Sequence, residues 1–154
     1  MAEKKKYVEL YNLFTMDVMI DLTFVLHVLL AVGMGGLIGL EREHKRKEPN
    51  VIAGVRTFPL TSLSGVLFSF LSVSLGLHLI EVGVIVFGGF AMILAYLKYE
   101  IHTIGITTSV ALFITFILGV FIQQGYAVEA GFITVVVTAL LLTKERLHNL
   151  ARDI

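Results

Sequence analysis

Residues 33–57 read GMGGLIGLEREHKRKEPNVIAGVRT, and their order decides how the rest of the chain is arranged. Glycine-rich apolar sequence runs straight into Glu41-Arg42-Glu43. A basic loop follows, and Gly54-Val55-Arg56-Thr57 then leads into a second apolar run. About 20 apolar residues cross a bilayer as a helix, so a charged hinge between two such runs joins antiparallel membrane helices. The composition agrees. Hydrophobic residues make up 56% of the 154 and charged residues only 16%, with a mean hydropathy of +0.88. A soluble domain carries about a quarter charged residues.

Working outward from the hinge, the apolar runs place spans at 22–40, 58–80, 82–97, 104–122 and 127–143. Glu81 separates the second from the third, and Gln123-Gln124-Gly125 separates the fourth from the fifth. The fold expected is all-α: a polytopic transmembrane bundle of about five membrane helices over residues 22–150. Ahead of it, residues 1–21 carry Lys4 to Lys6, Glu9, Asp17 and Asp21 among apolar positions and lack a small-residue cleavage site. They read as an amphipathic helix at the membrane interface, not as a signal peptide.

Orientation follows from lysine and arginine. Nine of the twelve (Arg42, Lys45, Arg46, Lys47, Arg56, Lys98, Lys144, Arg146 and Arg152) fall on the side of the hinge, against Lys4 to Lys6 on the other. The expectation is a multi-pass protein of the plasma (inner) membrane with its N-terminus outside and C-terminus in the cytoplasm. A basic cluster beside a bilayer meets anionic headgroups, so Lys45, Arg46 and Lys47 are assigned to lipid or anion contact, and no nucleic-acid partner is expected. The chain has no cysteine, which excludes disulfides and thiolate metal sites.

Each span carries small residues three and four apart, the spacing that lets membrane helices approach closely. Gly35 and Gly39 do so in the first span, and Gly65 and Gly76 lie in a glycine–serine series along the second. If the first helix continues through the hinge, Arg42 lies on the face of Gly35 and Gly39 and points into the bundle. Glu41 sits at a helix C-terminus, where the macrodipole disfavours an anion. It needs a cation, and Arg56 is the candidate. The alternative is a solvated cluster that only sets topology. Glu43 to Glu48 reads as a solvated face. Orphan N–H groups beside Arg56 offer an anion a place. His27, inside the first span, is expected to bond a neighbouring helix, and Thr107 and Thr108 to cap the fourth or line a polar cavity. No Walker loop, dinucleotide fingerprint, nucleophile turn or HExxH is present, so no enzymatic activity is expected.

Two elements of the hinge, Gly36-Leu37-Ile38-Gly39-Leu40-Glu41-Arg42-Glu43 and Ala53-Gly54-Val55-Arg56-Thr57, resemble the signature of the MgtC/SapB family of membrane proteins. Gly105-Ile106-Thr107-Thr108 resembles the family's G-[LI]-T-T element, and Lys144-Glu145-Arg146-Leu147-His148 resembles the K-x-x-L-H close of one subfamily. The resemblance implies an inner-membrane helical domain linked to magnesium limitation and stress adaptation. It gives functional interest to Glu41, Arg42, Gly54, Arg56, Thr57, Thr107 and Thr108. The soluble C-terminal domain and second hydrophobic domain of some members have no counterpart in these residues, so regulation through such parts is not expected of them. Modulation of a membrane partner, or of its own copies, is the first functional expectation. An oligomeric Mg²⁺ transporter or channel with Glu41 as a ligand is the alternative, and binding of anionic lipid or another anion the third. No resident cofactor is expected, Mg²⁺ apart.

Overall fold

A computed structural model describes residues 2–44, 54–100 and 106–152. It holds five helices in the order α1 (Ala2–His44), α2 (Thr57–Leu75), α3 (Leu79–Glu100), α4 (Ile106–Gln123) and α5 (Ala127–Arg152). The all-α bundle is therefore as the apolar runs indicate, with two differences at its edges. The N-terminal segment is not a separate helix: α1 runs unbroken for 43 residues, about 64 Å at the helical rise. Four helices are long and apolar enough to cross a membrane, whereas the apolar part of α5, Ala127–Thr143, is shorter.

The boundary between α2 and α3 falls earlier than hydropathy places it. Residues 58–80 are oily throughout, but Gly76 adopts φ 62° and its N–H bonds Ser72 O, which ends α2 at Leu75. The Leu77 N–H also reaches Ser72 O, and the Ser72 hydroxyl bonds Leu77 O. Gly76 is thus a left-handed C-cap and not a packing residue: a Cβ there would meet nothing within 4 Å. Only glycine takes this conformation at little cost. Glu81 moves from the turn into the first turn of α3, where an acid complements the helix dipole.

Glycine sets the helix contacts. A Cβ on Gly35 would lie 2.7 Å from Phe58 O, and one on Gly39 would lie 3.1 Å from Val55 Cα. At these points α1 and α2 meet backbone to backbone. The tightest crossing joins α2 to α4: a Cβ on Gly65 would collide with Phe116 O, and one on Gly119 with Ser62 O. Lipid tails give no hydrophobic drive between membrane helices, so this close packing is what holds them. Phe116 of α4 stacks on Phe87 of α3 with centroids 4.4 Å apart, while Phe68 of α2 meets both edge-on. That cluster carries α3, whose Gly83 leaves room for the Phe116 ring. The core is formed by Ile38, Phe58, Val66, Leu112, Leu118 and Ile122, together with Ala130 and Leu141 of α5.

Candidate functional site

Where α1 leaves the apolar layer, its last two turns carry Glu41, Arg42 and Glu43. Helical spacing puts Glu41 on the face of Met34 and buried Ile38, and Arg42 on the face of Gly35 and Gly39. Their side chains are 3% and 14% exposed, and Arg42 Nε lies 3.1 Å from Glu41 Oε2. The carboxylate therefore meets the cation next to it in sequence. Arg56, the partner expected from its position, is solvent-exposed at the N-cap of α2. The reason is geometric. Gly39 draws the backbone of Gly54 and Val55 against α1 on the side away from Glu41, two residues or about half a turn before it, so Arg56 begins α2 on a different face from the carboxylate. An ion pair so buried needs both members, because removing one leaves an uncompensated charge in low dielectric.

Glu43 has a use that its charged surroundings concealed. Its Oε2 accepts the N–H of Val55 at 3.0 Å, tying the end of α1 to the entry of α2 across the basic loop. The two hinge motifs are thereby joined twice, by the Gly39 contact and by this bond. Lys45, Arg46 and Lys47, assigned to lipid or anion contact, lie outside the described residues.

Gly54 supplies the cap of α2. Its carbonyl accepts from Thr57 N at 3.0 Å and Phe58 N at 3.4 Å. Pro59 has no N–H to offer, and Leu60 N bonds Arg56 O. The N–H groups of the first turn are engaged, so the anion cradle expected beside Arg56 does not form there. Thr57 opens the helix, and its carbonyl accepts the Thr61 hydroxyl at 2.8 Å.

α1 also packs against α4. His27 Nδ1 lies 3.1 Å from Gln123 Oε1, an amide oxygen that accepts a proton carried on Nδ1. The expected bond from His27 to a neighbouring helix is thus present. Gln123 as its partner was hidden, because a glutamine beside Gln124-Gly125 looks like turn sequence. The helices run in opposite directions. Counting equally along both from that bond brings Glu41 to about the height of Ser109, beside Thr108. Both Thr108 and Ser109 are buried. The third sequence motif therefore reaches the level of the first. Thr107 instead lies half-buried on the α5 side.

The interior has little polar capacity beyond the ion pair. Thr115 and Thr134 return their hydroxyls to carbonyls four residues back, at 2.7 and 2.8 Å. Ser62, Ser69 and Ser109 bury hydroxyls with no hydrogen-bond partner among the described residues. Ser62 and Ser69 lie on either side of Gly65, where the backbones of α2 and α4 touch, so the axis between them is closed. Among the described residues, no three His, Asp or Glu side chains gather as a metal site would require.

Compared with known proteins, residues 28–150 match the family model described as the MgtC family. No curated protein and no solved structure matches the chain.

Proposed function

This chain belongs to the MgtC family, and on that premise we propose that it serves Mg²⁺-linked homeostasis by modulating a membrane partner rather than by carrying the ion itself. The observation that carries the reading is the Glu41–Arg42 pair. A carboxylate that binds Mg²⁺ must offer its charge to a cation that is reluctant to lose its water. Here a guanidinium already takes that charge. The backbone contact of Gly65 with Phe116 and of Gly119 with Ser62 further supports a closed bundle. The protein then acts without enzymatic chemistry, through its surface.

That surface suits a helical partner, either another membrane protein or a second copy. Leu29 and Leu40 of α1 are exposed, and between them Gly33 and Gly36 have nothing within 4 Å of a Cβ position. The four residues share one helical face. The hinge would set the angle of this face through the ion pair and the Glu43–Val55 bond.

Growth in low Mg²⁺ tests the role of the pair. Glu41→Gln and Arg42→Gln each leave the other charge buried and are expected to impair growth. The double variant removes both charges and keeps their hydrogen-bonding capacity, and it is expected to restore growth. A double variant that accumulates normally but remains as inactive as Glu41→Gln would show that the carboxylate itself is required, and would favour the transporter.

A further inference from the structure

Ser69 is wholly buried, and its hydroxyl has no hydrogen-bond partner among the described residues. Other hydroxyls of the bundle do otherwise: those of Thr61, Ser64, Thr115 and Thr134 each donate to the carbonyl four residues back. A buried polar group without a partner carries a desolvation cost that a bound polar molecule removes. We propose that Ser69 and the side-chain amide of Gln123 together bind one ordered water where α1, α2 and α4 converge.

Three contacts locate the site. Gly65 and Gly119 mark the closest approach of α2 and α4, which run in the same direction. Ser69 and Gln123 each follow by four residues, so both lie one turn further along that seam. Phe24 of α1 packs on Phe70 of α2 with centroids 4.8 Å apart, and Gly35 meets Phe58 and Pro59. Those two contacts fix one antiparallel register, which sets Ser69 level with Val25, about half a turn from His27. The third contact is the bond from Gln123 Oε1 to His27 Nδ1, 3.1 Å long. With its oxygen so engaged, the amide keeps two N–H donors at the height of Ser69.

The chemistry selects the occupant. It must accept from an amide N–H and also satisfy a hydroxyl, and a buried water with roughly two to four polar partners does both. Neither α2 nor α4 carries an Asp, Glu, Lys or Arg, so a charged ligand would find no counter-charge on them. An apolar occupant would leave both groups unsatisfied. Val66 and Ile122 are fully buried close to this height, which makes the water internal to the bundle. Ser62 also buries a lone hydroxyl, but it lies at the crossing itself, where a Cβ on Gly119 would collide with its carbonyl oxygen. No water fits there. The water at Ser69 extends the His27–Gln123 bond into a link among three helices, at the end of the bundle away from the hinge.

Gln123 and Gln124 are the only glutamines of the chain, so isotope-labelled glutamine gives two side-chain amide signals. Gln124→Asn removes one and assigns both. Solid-state NMR of the full-length protein in lipid bilayers then measures magnetisation transfer from water to each amide. The Gln123 amide is expected to receive transfer from a water that exchanges slowly with the bulk, whereas exposed Gln124 meets only fast-exchanging solvent. Ser69→Ala is expected to reduce the slow transfer several-fold, and Ser69→Gly to do the same if the alanine variant folds poorly. Ser62→Ala should leave it unchanged. A loosened bundle would admit more water to Gln123, so loss of transfer is not the result of poor folding. Absence of slow transfer to Gln123 in the unaltered chain would overturn the proposal. Transfer that persists undiminished in both Ser69 variants would also overturn it, and would mark solvent entering from the surface.

Discussion

Replacing Gly119 by alanine adds one methyl group where α2 and α4 touch. The new Cβ would collide with Ser62 O, and would also lie 2.9 Å from Ser62 C and 3.0 Å from Val66 N. All three are backbone atoms of another helix, so no side-chain rotation relieves the contact and the helices must separate. Overpacking costs about 1–3 kcal/mol in a close-packed interior. With rigid backbone on the far side, the upper end applies. About 3 kcal/mol shifts the folding equilibrium by at least a hundredfold. Gly33→Ala is the matched control. It lies in α1 with nothing within 4 Å of its Cβ position, and gains up to about 1 kcal/mol of helix propensity. The assay is denaturant unfolding of the purified protein in mixed micelles, followed by far-ultraviolet circular dichroism. The midpoint of Gly119→Ala should fall while that of Gly33→Ala stays or rises. Equal midpoints for the two variants would refute the claim that backbone contact at Gly65 and Gly119 holds α2 against α4.

Three further outcomes follow from the site. Arg42→Ala strands a buried carboxylate and is expected to cost about 3–5 kcal/mol in the same assay; combined with Glu41→Ala, the loss should be smaller than the sum of the two singles. Glu43→Ala removes the acceptor of the Val55 N–H, so that amide should exchange faster with deuterium, and stability should fall by about 1 kcal/mol. His27→Ala and Gln123→Ala break the α1–α4 bond, and their double-mutant cycle should return a coupling of about 0.6–1.7 kcal/mol, the range of hydrogen bonds between membrane helices. Additive effects would show that the two residues are not paired.

Much of this molecule was legible because a bilayer reduces the problem to runs of apolar residues. The helical class, the number of helices among the described residues and the glycine contacts of α1 followed from apolar runs and small-residue spacing alone. The early end of α2 did not, since hydropathy has no term for the backbone twist at Gly76. Composition likewise located the charged hinge, and helical geometry turned Arg42 inward. The partner of Glu41 was misread for a physical reason: adjacent residues on a helix do not face each other, so proximity in sequence carried no weight. Arg42 Nε nonetheless lies 3.1 Å from Glu41 Oε2, with both side chains largely buried. Glu43 and Gln123 were concealed by ordinary surroundings, a charge run and a turn, and their partners lie across the fold, where no local pattern points.

The central claim is that this protein assists Mg²⁺ homeostasis without conducting the ion. Its most direct test is Mg²⁺ uptake into sealed proteoliposomes containing only this chain, monitored by an enclosed Mg²⁺-sensitive dye with an imposed gradient and potential. The account predicts uptake no faster than in protein-free vesicles, for the unaltered chain and for Glu41→Gln alike. Saturable uptake by the unaltered chain that Glu41→Gln abolishes would contradict it.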